Sequence, residues 1–254
     1  MLRGAIDIAA ACLCAALTLS AIAGGAVADD DPPPGKGAPP WQEVSAGAEA
    51  TRNSWSAYST LTVAPFSTID VDGFRLRTSG GYGRYRYEGF RDIGKSRVPT
   101  EFGGITSFTD LMLGYQMQIA RTTLKGFLGG AGITHLITPN DRENAVTGLA
   151  IGFKATIETW TDLTDEFWLS ADGSWTQAHE TYGSRVRGGW RVLPEVSIGA
   201  EAGLHGNATF DGGRGGLFVR YAPDWGEISI SGGVMGDIDK PDAPYGSLNV
   251  LLKY

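Results

Sequence analysis

The chain ends with YGSLNVLLKY, residues Tyr245 to Tyr254, and this stretch decides the fold. Apolar residues occupy every second position toward its end, at Leu248, Val250, Leu252 and Tyr254. Polar residues lie between them, at Ser247, Asn249 and Lys253. Strict two-residue alternation is typical of a β-strand with one apolar and one polar face. Most domains leave their last residues poorly ordered, so a strand at the very end must pair with something.

The same alternation continues from Glu43 through most of the chain. In EFWLSADGSWTQA, for example, the apolar residues from Phe167 to Trp175 share one face and Trp168, Ser170 and Asp172 the other. We count about twelve such segments, joined alternately by compact connections, such as Pro194-Glu195, and by long ones. The long connections are 88–106, 136–148, 206–213 and 236–246. Short turns on one rim and long loops on the other are typical of an outer-membrane β-barrel.

The predicted fold is therefore all-β, an antiparallel up-and-down transmembrane outer-membrane barrel of about 12 strands over residues 43–254. The final strand would close it. The ending is similar to the β-signal of bacterial outer-membrane barrels, with Tyr254 where Phe is more usual. On this basis the alternate apolar residues from Leu248 to Tyr254 are an assembly signal. Outer-membrane lipid and the barrel assembly machinery are the expected partners.

Charged residues mostly share the polar face of each segment, which must point into the barrel because a charge in mid-bilayer costs roughly 2–4 kcal/mol. Counting from a two-residue turn at His179-Glu180 places Asp172 opposite Arg187, and Glu201 falls opposite or next to Arg187. Counting from Pro223-Asp224 places Arg220 opposite Glu227. These residues are the predicted lumen charge pairs, which a soluble β-sandwich would not need.

The first 28 residues have the features of a secretory signal peptide. Arg3 precedes an apolar stretch, and Ala26-Val27-Ala28 forms a cleavage site. An N-terminal membrane anchor is the alternative. Residues 29–42 are rich in Pro, Gly and Asp and predict a disordered linker. The net charge of −7 and the lack of any Lys/Arg run argue against nucleic acid as a partner.

No catalytic, cofactor-binding or metal-binding residue is predicted. The three histidines are His135, His179 and His205, and their spacing to Cys and acidic residues forms no metal motif. Ser174 and Ser184 could form a Ser–His pair with His179 in a hydrolase, but we interpret all three as rim histidines. Tyr82, Tyr85, Tyr87 and Phe90 are candidate sugar-contacting aromatics. For any single one of them, the interfacial aromatic girdle of a barrel is the favoured explanation.

Three stretches resemble the cellulose biosynthesis protein BcsS family of Gram-negative bacteria. They are SWSAYSTLTVAPFSTIDVDGFRLRTSGGYG (54–83), HLITPNDRENAVTGLAIGFKATIETW (135–160) and SWTQAHETYGSRVRGGWRVLPEVSIGAEAGLHGNA (174–208). The resemblance implies an exported protein linked to cellulose production, with cellulose or other cellulose-synthase components as partners, and no known reaction. The expected function is a non-enzymatic outer-membrane barrel that assists cellulose biosynthesis, export or surface placement. The alternatives are an outer-membrane hydrolase acting on lipid or polysaccharide, and a small-solute porin, which inward Trp160 and Trp168 disfavour.

Overall fold

The computed structural model describes residues 39–94, 96–237 and 240–254. Within them, twelve antiparallel strands, each paired with its neighbours in chain order, form a closed barrel in which β1 also pairs with β12. The strands are β1 (Gln42–Thr51), β2 (Ser54–Val63), β3 (Gly73–Ile93), β4 (Ser96–Ile119), β5 (Thr122–Thr138), β6 (Gly148–Asp162), β7 (Phe167–Thr176), β8 (Thr181–Leu193), β9 (Val196–Asn207), β10 (Phe210–Tyr221), β11 (Gly226–Asp237) and β12 (Lys240–Lys253). The predicted fold class is confirmed. The predicted signal peptide and residues 29–38 of the predicted linker lie outside the described residues.

The last strand closes the barrel against the first. Ala46 pairs with Val250 in the middle of the seam. At its end, the Trp41 and Gln42 backbone N–H groups donate to the Tyr254 carbonyl oxygen at 2.7 and 3.1 Å, and the Tyr254 N–H donates to the Gln42 carbonyl oxygen at 2.9 Å. Closure removes the unpaired sheet edges that an open sheet would leave. We call the end of the barrel at which β1 begins and β12 ends the terminal rim, and the opposite end the hairpin rim.

Side chains alternate between an apolar outer surface and a polar interior. On β12, Leu248 points outward and is 46% exposed, and Tyr254 at the strand's end is 52% exposed. Inward positions are buried although they are polar or charged, as at Thr62, Ser197 and Glu201. A soluble domain would bury the apolar side chains and expose the polar and charged ones. No helix in the described part of the chain is long and apolar enough to cross a membrane.

The predicted register of β7 and β8 is wrong by two residues. Thr176 pairs with Thr181, so the connection has four residues, three of which form the 3₁₀ turn Ala178–Glu180. Asp172 is therefore opposite Arg185 instead of Arg187. Because side chains alternate with a period of two, this slip leaves every residue on its predicted face.

The β10–β11 register also differs from the prediction by two residues. Arg220 pairs with Ser229, not Glu227. The two charges still meet diagonally, with Arg220 Nε 2.8 Å from Glu227 Oε2, because a long side chain reaches the diagonal neighbour in a sheet.

Most of the predicted long loops are strands. Residues 88–106 continue β3 and β4 almost to the turn at Gly94, and Asn207 pairs directly with Phe210 across a two-residue turn. Residues 240–246 belong to β12. A hairpin that extends beyond the membrane has water on both of its faces. Its strands can therefore continue with polar residues on both faces. The long irregular connection on the hairpin rim, among the described residues, is 139–147.

Glycines let inward aromatic rings lie flat on the barrel wall. A Cβ on Gly189 would lie 2.3 Å from Trp168 Cε2, and one on Gly104 would lie 2.2 Å from Tyr85 Cζ. Gly81, Gly114 and Gly199 hold Phe108, Phe127 and Phe218 in the same way. The 37 glycines of the chain thus serve in part as platforms beneath large rings.

Candidate functional site

The barrel encloses a polar cavity of about 700 Å³. Its lining includes Glu43, near the start of β1, and Glu49, near its end. At roughly 3.3 Å per residue, these six steps span about 20 Å along the strand. The cavity is therefore elongated and follows the barrel from the terminal rim toward the hairpin rim.

Charges in the cavity wall balance. Five acidic and five basic side chains line it: Glu43, Glu49, Glu158, Asp172 and Glu227, with Arg77, Lys125, Arg185, Arg187 and Arg214. Each of the ten forms an ion pair with a residue of opposite charge. The formal charge of this wall is therefore zero.

Several of these ion pairs cross the lumen instead of joining neighbouring strands. Lys125 Nζ on β5 lies 3.3 Å from Glu43 Oε1 on β1. Arg77 on β3 pairs with Glu158 on β6. Arg214 on β10 pairs with Glu49 on β1, and these two strands lie three positions apart around the closed barrel. Such bridges occupy space that a wide aqueous channel would leave empty.

Arg187 forms the most enclosed pair. Its Nε lies 2.7 Å from Glu201 Oε2, and the two side chains are 7% and 0% exposed. Arg187 also donates to Ser229 and Ser231 Oγ, each at 3.2 Å, and the Tyr245 hydroxyl donates to Glu201 Oε1 at 2.7 Å. The expected proximity of Glu201 and Arg187 is found, because they are directly opposite across β8 and β9.

Asp172 forms a looser pair with Arg185. Both contacts, from Arg185 Nε and Nη2, end on Asp172 Oδ1 at 3.4 Å. The side chains of Arg185 and Asp172 are 27% and 39% exposed, respectively. The interior thus contains two kinds of ion pair. Arg187 and Glu201, on β8 and β9, form a short and buried pair, whereas Arg185 and Asp172, on β8 and β7, form a longer and partly exposed one.

Two tryptophans stack near the terminal rim. Trp160 and Trp168 have ring centroids 4.2 Å apart and an interplanar angle of 20°. Trp168 is 1% exposed, donates from Nε1 to Ser197 Oγ at 3.2 Å, and contacts Phe218. The guanidinium carbon of Arg220 lies 4.7 Å from the Trp160 ring centroid. This cluster narrows one end of the lumen, and Trp160 borders the cavity.

None of the four aromatics predicted to contact sugar lines the cavity. Tyr85 and Tyr87 share the inward face of β3, where Tyr87 stacks on buried Phe102 and donates to Asp141 Oδ2 at 2.7 Å. They pack beneath connection 139–147. Tyr82 pairs with Trp55, with ring centroids 5.7 Å apart, and Phe90 lies on the projecting β3–β4 hairpin. Tyr58, Trp160 and Trp168 border the cavity instead.

The histidines lie on the hairpin-rim side, as expected. His135 Nδ1 is 3.0 Å from the Tyr85 hydroxyl, and His179 Nε2 is 3.3 Å from the Gly148 carbonyl oxygen. His205 borders the cavity and contacts Phe210. Among the described residues no serine hydroxyl is a hydrogen-bond partner of a histidine. In the same part of the chain, no group of three or more His, Cys, Asp or Glu could hold a metal ion.

Comparison with protein families decides the affiliation of the chain. A family model described as "Cellulose biosynthesis protein BcsS" matches residues 44–254, the whole barrel except the first two residues of β1. The chain belongs to the BcsS family. No curated protein matches it.

Solved structures with a similar fold include a porin and a hydrocarbon channel. A KdgM porin has a TM-score of 0.50 at 8% identity, over 84% of this chain and 99% of the porin. The same porin in complex with disordered oligogalacturonate gives the same values. A TodX deltaS2S3 mutant monoaromatic hydrocarbon channel has a TM-score of 0.53 at 7% identity, over 85% of this chain and 90% of the channel. At these identities, the likeness shows the barrel fold alone.

Proposed function

We propose that this barrel lies in the outer membrane and assists cellulose biosynthesis, in export or surface placement, without catalysing a reaction. The observation that carries the proposal is the family match over residues 44–254, nearly the whole barrel. The apolar outer surface supports contact with outer-membrane lipid, and the closing strand supports recognition by the barrel assembly machinery. Cellulose-synthase components or cellulose itself are the proposed functional partners.

The cavity chemistry supports a non-enzymatic role. A glycosidase needs one carboxyl group free to act as acid and a second as base or nucleophile. Here each cavity-lining carboxylate is held by an arginine or a lysine. A serine hydrolase needs a histidine within hydrogen-bond reach of its nucleophile, and the three histidines contact other groups.

The lumen also differs from that of a general porin. Wide aqueous channels are typical of barrels with 16–18 strands. Twelve strands make a narrower barrel, and bridges such as Lys125–Glu43 cross it. We therefore expect low conductance for small ions in planar bilayers. A large, constant conductance would favour the porin alternative.

The test of the proposed function is a deletion strain. Loss of the gene should lower the amount of extracellular cellulose, and the full-length gene should restore it. Density-gradient fractionation should place the protein with outer-membrane markers. Unchanged extracellular cellulose in the deletion strain, or a protein that fractionates with another compartment, would overturn the proposal.

A further inference from the structure

The cavity has the dimensions of a site for a linear ligand. Its volume of about 700 Å³ lies within the range of roughly 300–1,000 Å³ found for small-molecule sites. It extends about 20 Å along β1, from Glu43 to Glu49. An elongated space of this volume suits a short polymer segment better than a compact metabolite.

The charge balance indicates a neutral ligand. A site for an anionic sugar acid would present basic groups that are free to pair with carboxylates. Here all five basic residues of the wall already pair with acids of this chain. A charged ligand would have to break such a pair, whereas a neutral one need not.

Hydroxyl groups cover much of the remaining wall. Seven serines and threonines on the inward faces of their strands line the cavity: Ser45, Thr60, Thr62, Thr123, Thr156, Ser170 and Ser174. A hydroxyl both donates and accepts hydrogen bonds. Such a surface can pair with a ligand that itself carries many hydroxyl groups.

One ion pair is placed to contact such a ligand directly. Asp172 Oδ1 receives both contacts from Arg185, and Oδ2 has no hydrogen-bond partner among the described residues. Both side chains are partly exposed to the cavity, unlike the enclosed pair of Arg187 and Glu201. Trp160 borders the same space and is directly opposite Ser170 on β7, two residues from Asp172. An indole ring offers an apolar surface to the C–H groups of a sugar ring.

We propose that this cavity binds a neutral linear oligosaccharide, with Asp172 and Arg185 hydrogen-bonding its hydroxyl groups and Trp160 contacting its rings. The proposal rests on the proposed function in cellulose biosynthesis and names the ligand class of the barrel interior. The paired charges of the wall disfavour charged oligosaccharides.

The test is calorimetric titration of the full-length protein, folded in detergent micelles, with three probes. Cellohexaose and maltohexaose are neutral, and hexagalacturonate is anionic. We expect saturable binding of at least one neutral probe, and binding of hexagalacturonate at least tenfold weaker. The double variant Asp172→Asn/Arg185→Gln, which keeps the wall neutral, should weaken binding at least tenfold.

Two further variants guard against a folding artefact. Asp165→Asn removes a carboxylate from an exposed ion pair with Arg121 outside the cavity and should bind like the natural chain. Ser174→Trp, on the inward face of β7, places a large side chain in the cavity without removing a charge and should also weaken binding at least tenfold. Heat-modifiable migration on gels must show that every variant is folded before it is compared.

Three results would overturn the proposal: no saturable binding of either neutral probe, binding of hexagalacturonate at least as tight, or unchanged affinity in the folded double variant. These failures are distinguishable from failure of the proposed function. If the barrel binds no oligosaccharide but its deletion lowers extracellular cellulose, only the proposed binding site is refuted. A barrel that binds cellohexaose but whose deletion leaves cellulose unchanged refutes the function alone.

Discussion

Replacing Arg187 by methionine should destabilise the barrel through Glu201 and not through Asp172. Removing one partner of a buried ion pair costs roughly 3–5 kcal/mol, because the other charge remains buried. Glu201 keeps three other contacts. Arg214 Nη2 lies 3.3 Å from its Oε1, the Tyr245 hydroxyl donates to the same oxygen, and the Ser231 hydroxyl donates to Oε2 at 3.2 Å. We therefore expect the lower end of this range, about 3 kcal/mol, for Arg187→Met.

Double-mutant cycles identify the partner of Arg187. Residues in direct contact show coupling energies of about 0.5–3 kcal/mol, whereas independent sites add. We expect at least about 1.5 kcal/mol of coupling between Arg187→Met and Glu201→Gln, and less than about 0.5 kcal/mol between Arg187→Met and Asp172→Asn.

Reversible urea unfolding in lipid vesicles, followed by tryptophan fluorescence, measures these free energies. Arg121→Met is the matched control, because its partner Asp165 is 91% exposed and such surface pairs contribute about 0–1 kcal/mol. Stronger coupling of Arg187 to Asp172 than to Glu201, or an effect of Arg187→Met no larger than the control, would refute this account of the interior.

Three other predictions concern the seam, the wall and the rim. Deleting Tyr254 removes its backbone hydrogen bonds to residues 41 and 42 and should block assembly. Tyr254→Phe should be tolerated, and Tyr254→Asp should behave like the deletion. A normal heat-modifiable band from the deletion variant would refute this prediction. Gly189→Val places side-chain atoms where Trp168 lies and should cost about 1–3 kcal/mol by overpacking, with a changed tryptophan emission spectrum; an unchanged spectrum and stability would contradict it. Each of the three histidine-to-alanine variants should leave cellulose output unchanged, and a large loss at a normal protein level would revive the hydrolase alternative.

Alternation was enough to predict the number of strands and their faces, but not how far the strands extend at the hairpin rim. Strands β8 and β9 lie on either side of Pro194-Glu195, the compact connection predicted from the sequence. The apolar face toward lipid and the polar face toward the interior follow from the cost of burying a charge in hydrocarbon. The inward positions of Asp172 and Arg187 therefore survived a register error of two residues.

The partners of the inward charges could not be predicted in the same way. A 3₁₀ turn replaced the two-residue turn assumed after β7, and this changed the partner of Asp172. Lys125 and Glu43 lie on strands four apart in the closed barrel, so no local turn count brings them together. The burial of Tyr87 beneath connection 139–147 likewise depends on tertiary packing, for which the sequence has no periodic signal.

We propose that the folded barrel itself assists the export or surface placement of cellulose. The most direct test measures extracellular cellulose per cell in deletion strains complemented with the natural chain, with Tyr254→Phe or with the Tyr254 deletion. The cellulose is plotted against the amount of folded barrel in the outer membrane of each strain. We predict that cellulose rises with the amount of folded barrel and is restored by the first two chains only. Extracellular cellulose that is the same in all strains, whatever the amount of folded barrel, would contradict the claim.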